Sequence, residues 1–193
     1  MPLVPPVAIP LVQAGLTGNA ILGVSAPQLA LGVSNGFTTY AVSALLASSK
    51  DVGAAGSGTG TGFGLFLAEP ALIGAMQSTF TANGINGPMR SNLINAIAIG
   101  ISQSLKAALI NTLNVGVGVG TGIVNLVPNT PAAMGLMVTN FVAAGLVGPN
   151  SVTLASAIAQ GIDLALPSAT GVVIIAGAAG PSPGVGTGVG KVT

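Results

Sequence analysis

The sequence predicts an α+β fold built from three tandem copies of one unit, each a helix, a short glycine turn, a second helix and a glycine-rich strand region. Three observations predict it. Landmarks recur in constant order along the chain, helix-period segments carry recognisable start and stop signals, and glycine alternates with β-branched residues in every copy. The predicted strands join in one sheet or barrel, with the three copies around a pseudo-threefold axis or in a short stack, because no unit of this size buries its apolar residues alone.

The landmarks set the register. Ala14-Gly15-Leu16-Thr17-Gly18 returns as Ala144-Gly145-Leu146-Val147-Gly148, with Ala82-Asn83-Gly84-Ile85-Asn86-Gly87 as the middle version. A helix-like segment follows each, carrying Leu31-Gly32-Val33-Ser34, then Ile99-Gly100-Ile101-Ser102, then Gln160-Gly161-Ile162-Asp163. Glycine-alternating runs come next at 58–62, 118–122 and 184–188. Glu69-Pro70-Ala71 matches Thr130-Pro131-Ala132, Phe80 matches Phe141, and Pro88 matches Pro149. The chain therefore reads as one domain of three repeats, residues 1–68, 69–129 and 130–193.

Local chemistry places the elements. Thr130-Pro131 is a helix start, an N-cap hydroxyl followed by proline, and Met134, Met137, Val138 and Phe141 form the apolar face of the helix it opens. Glu69-Pro70 is a weaker start with an acid at the positive end of the dipole. Gly84 and Gly145 stop the first helices, since glycine takes the left-handed cap conformation. The second helix of the middle unit is predicted over 91–111, with Leu93, Ile94, Ile97, Ile101, Leu105, Ala108 and Leu109 on one face. Its other side carries Asn92, Asn95, Gln103 and Ser104 in place of charge, which suits a helix packed on more than one side. In the run from Val115 to Gly122, alternation puts every glycine on one face of a strand, where another backbone can approach closely.

Composition limits function. Charged residues make up 4% of the chain, against about 25% in ordinary soluble proteins. Only Lys50, Asp51, Glu69, Arg90, Lys106, Asp163 and Lys191 carry charge, and four basic residues spread over 193 positions supply no phosphate-binding patch, so nucleic acid is not an expected partner. The first residues, Met1-Pro2-Leu3-Val4-Pro5-Pro6, lack the basic start and uninterrupted apolar stretch of a signal peptide. Mean hydropathy is high at +0.86. The charge-free stretch 107–162 is nevertheless cut by Asn111, Asn114, the 116–122 glycine run, Pro128, Pro131, Asn140 and Pro149, so a membrane span is not the expected reading. An uncharged surface then belongs against other chains.

The sequence announces no catalytic, cofactor-binding or metal-binding residue. There is no His and no Cys, and Asp51, Glu69 and Asp163 stand at non-equivalent places in the repeats. Glu69 reads as a helix cap. Ser48 or Ser49 beside Lys50, and Ser102 one helical turn before Lys106, could be drawn as Ser–Lys pairs, but no flanking motif supports either. Gly190-Lys191-Val192 fails the phosphate-loop pattern, and after Gly60-Thr61-Gly62 the third glycine of a dinucleotide fingerprint is displaced to Gly64.

The segment from Leu154 to Ile162, leading through an apolar strand to Val185-Gly186-Thr187-Gly188-Val189-Gly190-Lys191-Val192, resembles small structural proteins encoded among the virion genes of tailed bacteriophages. The resemblance implies a place in a phage virion and transfers no functional residue. The expected function is that of a structural component of the neck, tail or baseplate. Its partners would be other virion structural proteins, met through uncharged interfaces at a three- or six-fold symmetric position. The alternatives are a capsid decoration or cement protein and a membrane-embedded or membrane-active protein; an enzyme is not expected.

Overall fold

The structure is a computed structural model that describes residues 5–42, 69–106 and 129–166 with their side chains, and the backbone of Ala107 and of six extended segments between and after them. Six helices occupy the fully described residues: α1 (Pro5–Gly18), α2 (Ala26–Val42), α3 (Glu69–Ala82), α4 (Arg90–Ala107), α5 (Thr130–Ala143) and α6 (Ser151–Ala165). Over those residues the fold is all-α and contains no strand. This overturns the α+β expectation of three helix pairs with their strand regions joined in one sheet or barrel: the fully described part is six helices.

Among the described residues the core is built from helices whose apolar stripes are mutually satisfied around a ring. Each first helix presents three buried residues at four-residue spacing: Ala8, Val12 and Leu16 on α1, Leu72, Met76 and Phe80 on α3, Ala133, Met137 and Phe141 on α5. Each second helix answers with a matching set, Leu29, Val33 and Phe37, then Ile97, Ile101 and Leu105, then Ile158, Ile162 and Leu166 at the end of α6. Burying side chains of this size is worth about 1.5–3 kcal/mol apiece.

The ring is closed by glycines. Gly32 on α2 lies under the Phe80 ring of α3, and Gly100 on α4 lies under Met137 of α5, whose sulfur would be 2.6 Å from an added Cβ. Gly161 on α6 meets α1 itself: a Cβ there would lie 2.6 Å from Val12 Cα, and one on Gly15 would lie 2.7 Å from the Gly161 nitrogen. Each second helix thus receives the first helix of the next unit, and the last receives the first. Uncharged hydrogen bonds edge the same seams, Asn35 to Thr79 at 3.1 Å, Asn140 to Gln103 at 2.9 Å and Asn19 to Gln160 at 2.8 Å.

The helix stops are of one kind. Ile85 N–H donates to Phe80 C=O and Leu146 N–H to Phe141 C=O, both at 2.9 Å, with Gly84 and Gly145 in the left-handed region between them. In the first unit Ile21 N–H donates to Leu16 C=O at 2.9 Å, and the left-handed residue is Ala20. The equivalent of Gly145 is therefore Ala20 and not Gly15, five residues away from the landmark alignment. Gly15 serves the helix contact instead.

Two further boundaries differ from expectation. The cap of α5 is Asn129, whose side chain accepts from Ala132 N–H at 3.3 Å, so Thr130 is already inside the helix with Pro131 in its first turn. Helix α4 ends at Ala107, not near 111, and Leu109 opens an extended segment; a β-branched run such as Ile110 and Thr112 fits either period.

Outside the helical body, the backbone of β1 (Leu45–Ala54), β2 (Gly56–Leu65), β3 (Leu109–Gly116), β4 (Val119–Val127), β5 (Thr170–Ala176) and β6 (Gly184–Val192) pairs antiparallel in chain order, and β6 returns to β1 with Val52 opposite Val185. Each unit thus sends out two extended segments, not one. The glycine run of the middle unit does not form a single strand: Val115 stands opposite Thr121, so the run folds back on itself. Gly118 lies outside the described residues.

The packing separates two classes of helical glycine. Gly74 and Gly135 have open space where a Cβ would go, and alanine at either should raise stability by about 0.5–1 kcal/mol in urea unfolding. Alanine at Gly15 or Gly161 should lower it by about 1–3 kcal/mol or more, because backbone rather than a movable side chain blocks the space.

Candidate functional site

The two ends of the helix pairs differ in chemistry. At one end, where first helices begin, a polar chain crosses between units. The hydroxyls of Tyr40 on α2 and Ser102 on α4 are 2.8 Å apart, and Ser102 donates to Glu69 Oε2 at the start of α3 at 2.7 Å. Lys106 Nζ stands 3.5 Å from the same Glu69 oxygen, a pair open enough to water to add little stability. Tyr40 and Ser102 are buried, and burial pushes the Tyr40 phenol above its ordinary range, partly offset by the bond to Ser102.

The third unit carries the same pairing with the partners exchanged. Ser102 and Asp163 occupy equivalent positions on α4 and α6, and Glu69 and Thr130 equivalent positions at the starts of α3 and α5. The acid is on the first helix in one unit and on the second in the other. Thr130 donates to Asp163, but burial dominates and pushes the carboxyl above its usual range, and Asp163 Oδ2 has no hydrogen-bond partner among the described residues. In the first unit the pair is Pro5 and Ser34, and the buried Ser34 hydroxyl has no partner among the described residues.

Ser102 and Lys106 do not form a Ser–Lys pair; both converge on Glu69, which makes side-chain bonds across to α4. Ser48, Ser49, Lys50, Asp51 and Lys191 have no described side chains. Among the described residues no three His, Cys, Asp or Glu side chains come together, and no helix is long and apolar enough to cross a membrane. Tyr40 was not singled out from the sequence, although its place as the one tyrosine, six residues after Ser34, was available.

At the other end, the three loops 19–25, 83–89 and 144–150 converge around an apolar cleft of about 620 Å³. Ile21, Ile85 and Leu146, the equivalent residues that follow each helix stop, line it with Leu29, Leu93 and Leu154. None of its lining residues is charged. The surrounding surface shows Val24 at 93%, Val147 at 71% and Leu22 at 70% exposure.

No protein-family model, no curated protein and no solved structure matches the chain.

Asp163 gives a test of the polar end. Because its folded carboxyl holds a proton to higher pH than the unfolded one, the native state binds more protons in the window above about pH 3.9, and stability falls as pH rises through that window. Asp163→Asn should flatten this part of the urea-unfolding profile as pH rises above about 3.9. An unchanged slope would show that other groups set it.

Proposed function

We propose that this chain is a structural assembly protein, a component of a larger particle that works through uncharged protein–protein contacts. The observation that carries this reading is the surface itself. Seven charged side chains serve 193 residues, and the loop end of the helical ring presents Leu22, Val24, Met89, Val147 and Val152 to the outside. Val24 and Val147 line one apolar cleft, and exposed apolar surface gathered in this way marks contact sites. The seams between helices support the same reading, because Asn, Gln and Thr pair there where a free-standing protein would carry ion pairs.

The arrangement of three equivalent helix pairs in a closed ring suits a partner of three- or six-fold symmetry. A tailed-phage particle, at the neck, tail, baseplate or capsid surface, is the setting that the resemblance of the third unit implies. In this reading Tyr40, Ser102 and Glu69 tie units together rather than react.

The purified chain at micromolar concentration, without detergent or lipid, should scatter light as an oligomer or larger assembly. Paired substitution Val24→Lys and Val147→Lys should shift it toward monomer without loss of helical circular dichroism. A stable, well-dispersed wild-type monomer would contradict the proposal.

A further inference from the structure

The cleft at the loop end is not a symmetric feature, and its origin lies in the chain. From the left-handed residue to the glycine notch there are 16 residues in the second unit, Gly84 to Gly100, and 16 in the third, Gly145 to Gly161. In the first unit, Ala20 to Gly32 is only 12. Four residues, about one helical turn, are missing from the start of α2. Where the other units place Leu93 and Leu154, the first has Ser25, still ahead of its helix.

The space is of the right size for the missing turn. Four residues at 1.5 Å rise and about 10 Å diameter occupy on the order of 500 Å³, close to the cleft's volume of about 620 Å³. Gly23, Val24, Ser25 and Ala26 form one wall of that cleft, and a second, smaller cavity of about 310 Å³ lies on the other side of the same segment. The first unit is therefore underfilled beside its shortened helix.

We infer that this cleft is a binding site for a small neutral apolar molecule, of the kind represented by a medium-chain aliphatic alcohol. The volume falls in the range of small-molecule sites, roughly 300–1,000 Å³. Ile21, Leu29, Ile85, Leu93, Leu146 and Leu154 supply the apolar walls. Ser25, Asn150 and Ser151 are the polar groups, able to meet one hydroxyl. With no cation in the lining, a carboxylate would lose its water without gaining a partner, so an ionised fatty acid is disfavoured. This inference shares its end of the ring with the assembly reading, since Val24 and Val147 line the cleft and are also exposed; saturable probe binding and light scattering report on the two separately.

The test uses the full chain and the neutral fluorophore N-phenyl-1-naphthylamine. Its emission should rise and shift to the blue with one site per chain. Decanol should displace it at concentrations at least tenfold lower than decanoate at neutral pH. Inserting Ser-Val-Thr-Leu, the sequence of residues 151–154, between Ser25 and Ala26 should restore the turn and weaken probe binding at least tenfold. Leu93→Trp, which fills the cleft from the opposite wall, should act in the same direction if the insertion disturbs folding. Absence of saturable binding, equal displacement by decanoate, or unchanged binding in folded forms of both variants would overturn the inference.

Discussion

The contact on which the rest depends is the one between the glycine of each second helix and the first helix of the following unit. Glycine inside a helix costs about 0.5–1 kcal/mol relative to alanine, and this chain accepts that cost at Gly32, Gly100 and Gly161. In return two helices approach until the Phe80 ring, Met137 or the Val12 backbone fills the notch, and dispersion across the contact offsets the loss. At α6 and α1 the notch is doubled by Gly15, and there the contact joins the two ends of the helical sequence. The buried stripes of all three units then face one interior.

Closing the ring in this way leaves two unlike ends. Where first helices begin, burial forces polar groups to find one another, and an acid–hydroxyl pair appears in two units with its members exchanged. The exchange makes physical sense: one shared site needs one acceptor and one donor, and either helix can supply either. Where the loops turn, the residues after each helix stop are Ile21, Ile85 and Leu146, which pack inward, while their neighbours Leu22 and Val147 are left outside. In the proposed reading, assembly through the apolar end would account for residues that water alone would not favour.

Much of the helical part was legible in the chain, and the misreadings have identifiable causes. Glycine at 84 and 145 marks a helix stop because a left-handed residue is required there, but the first unit uses Ala20, so a search for glycine slid to Gly15. Asn129 and Thr130 are both competent caps, and nothing local chooses between them. Apolar periodicity ran α4 on past Ala107 because Leu109 falls on the helical face, though the following β-branched residues suit an extended chain equally. The alternation over 115–122 was read as one strand although the backbone reverses within it. The cleft had no sequence motif; only the count of residues between two landmarks reveals the missing turn. The polar chain through Tyr40 was invisible because its members lie 62 and 33 positions apart.

The ring depends most directly on the closure of α6 against α1 within one chain. Nuclear Overhauser contacts between Val12 and Gly161, in solution or in magic-angle spinning spectra of assembled material, measure it. Labelled chain diluted into unlabelled chain separates contacts within one molecule from contacts between molecules. The structure predicts a strong contact between Val12 Hα and the Gly161 methylene that survives dilution. If that contact is missing while those between Gly32 and Phe80 and between Gly100 and Met137 are present, the helices form an open row and the ring does not exist.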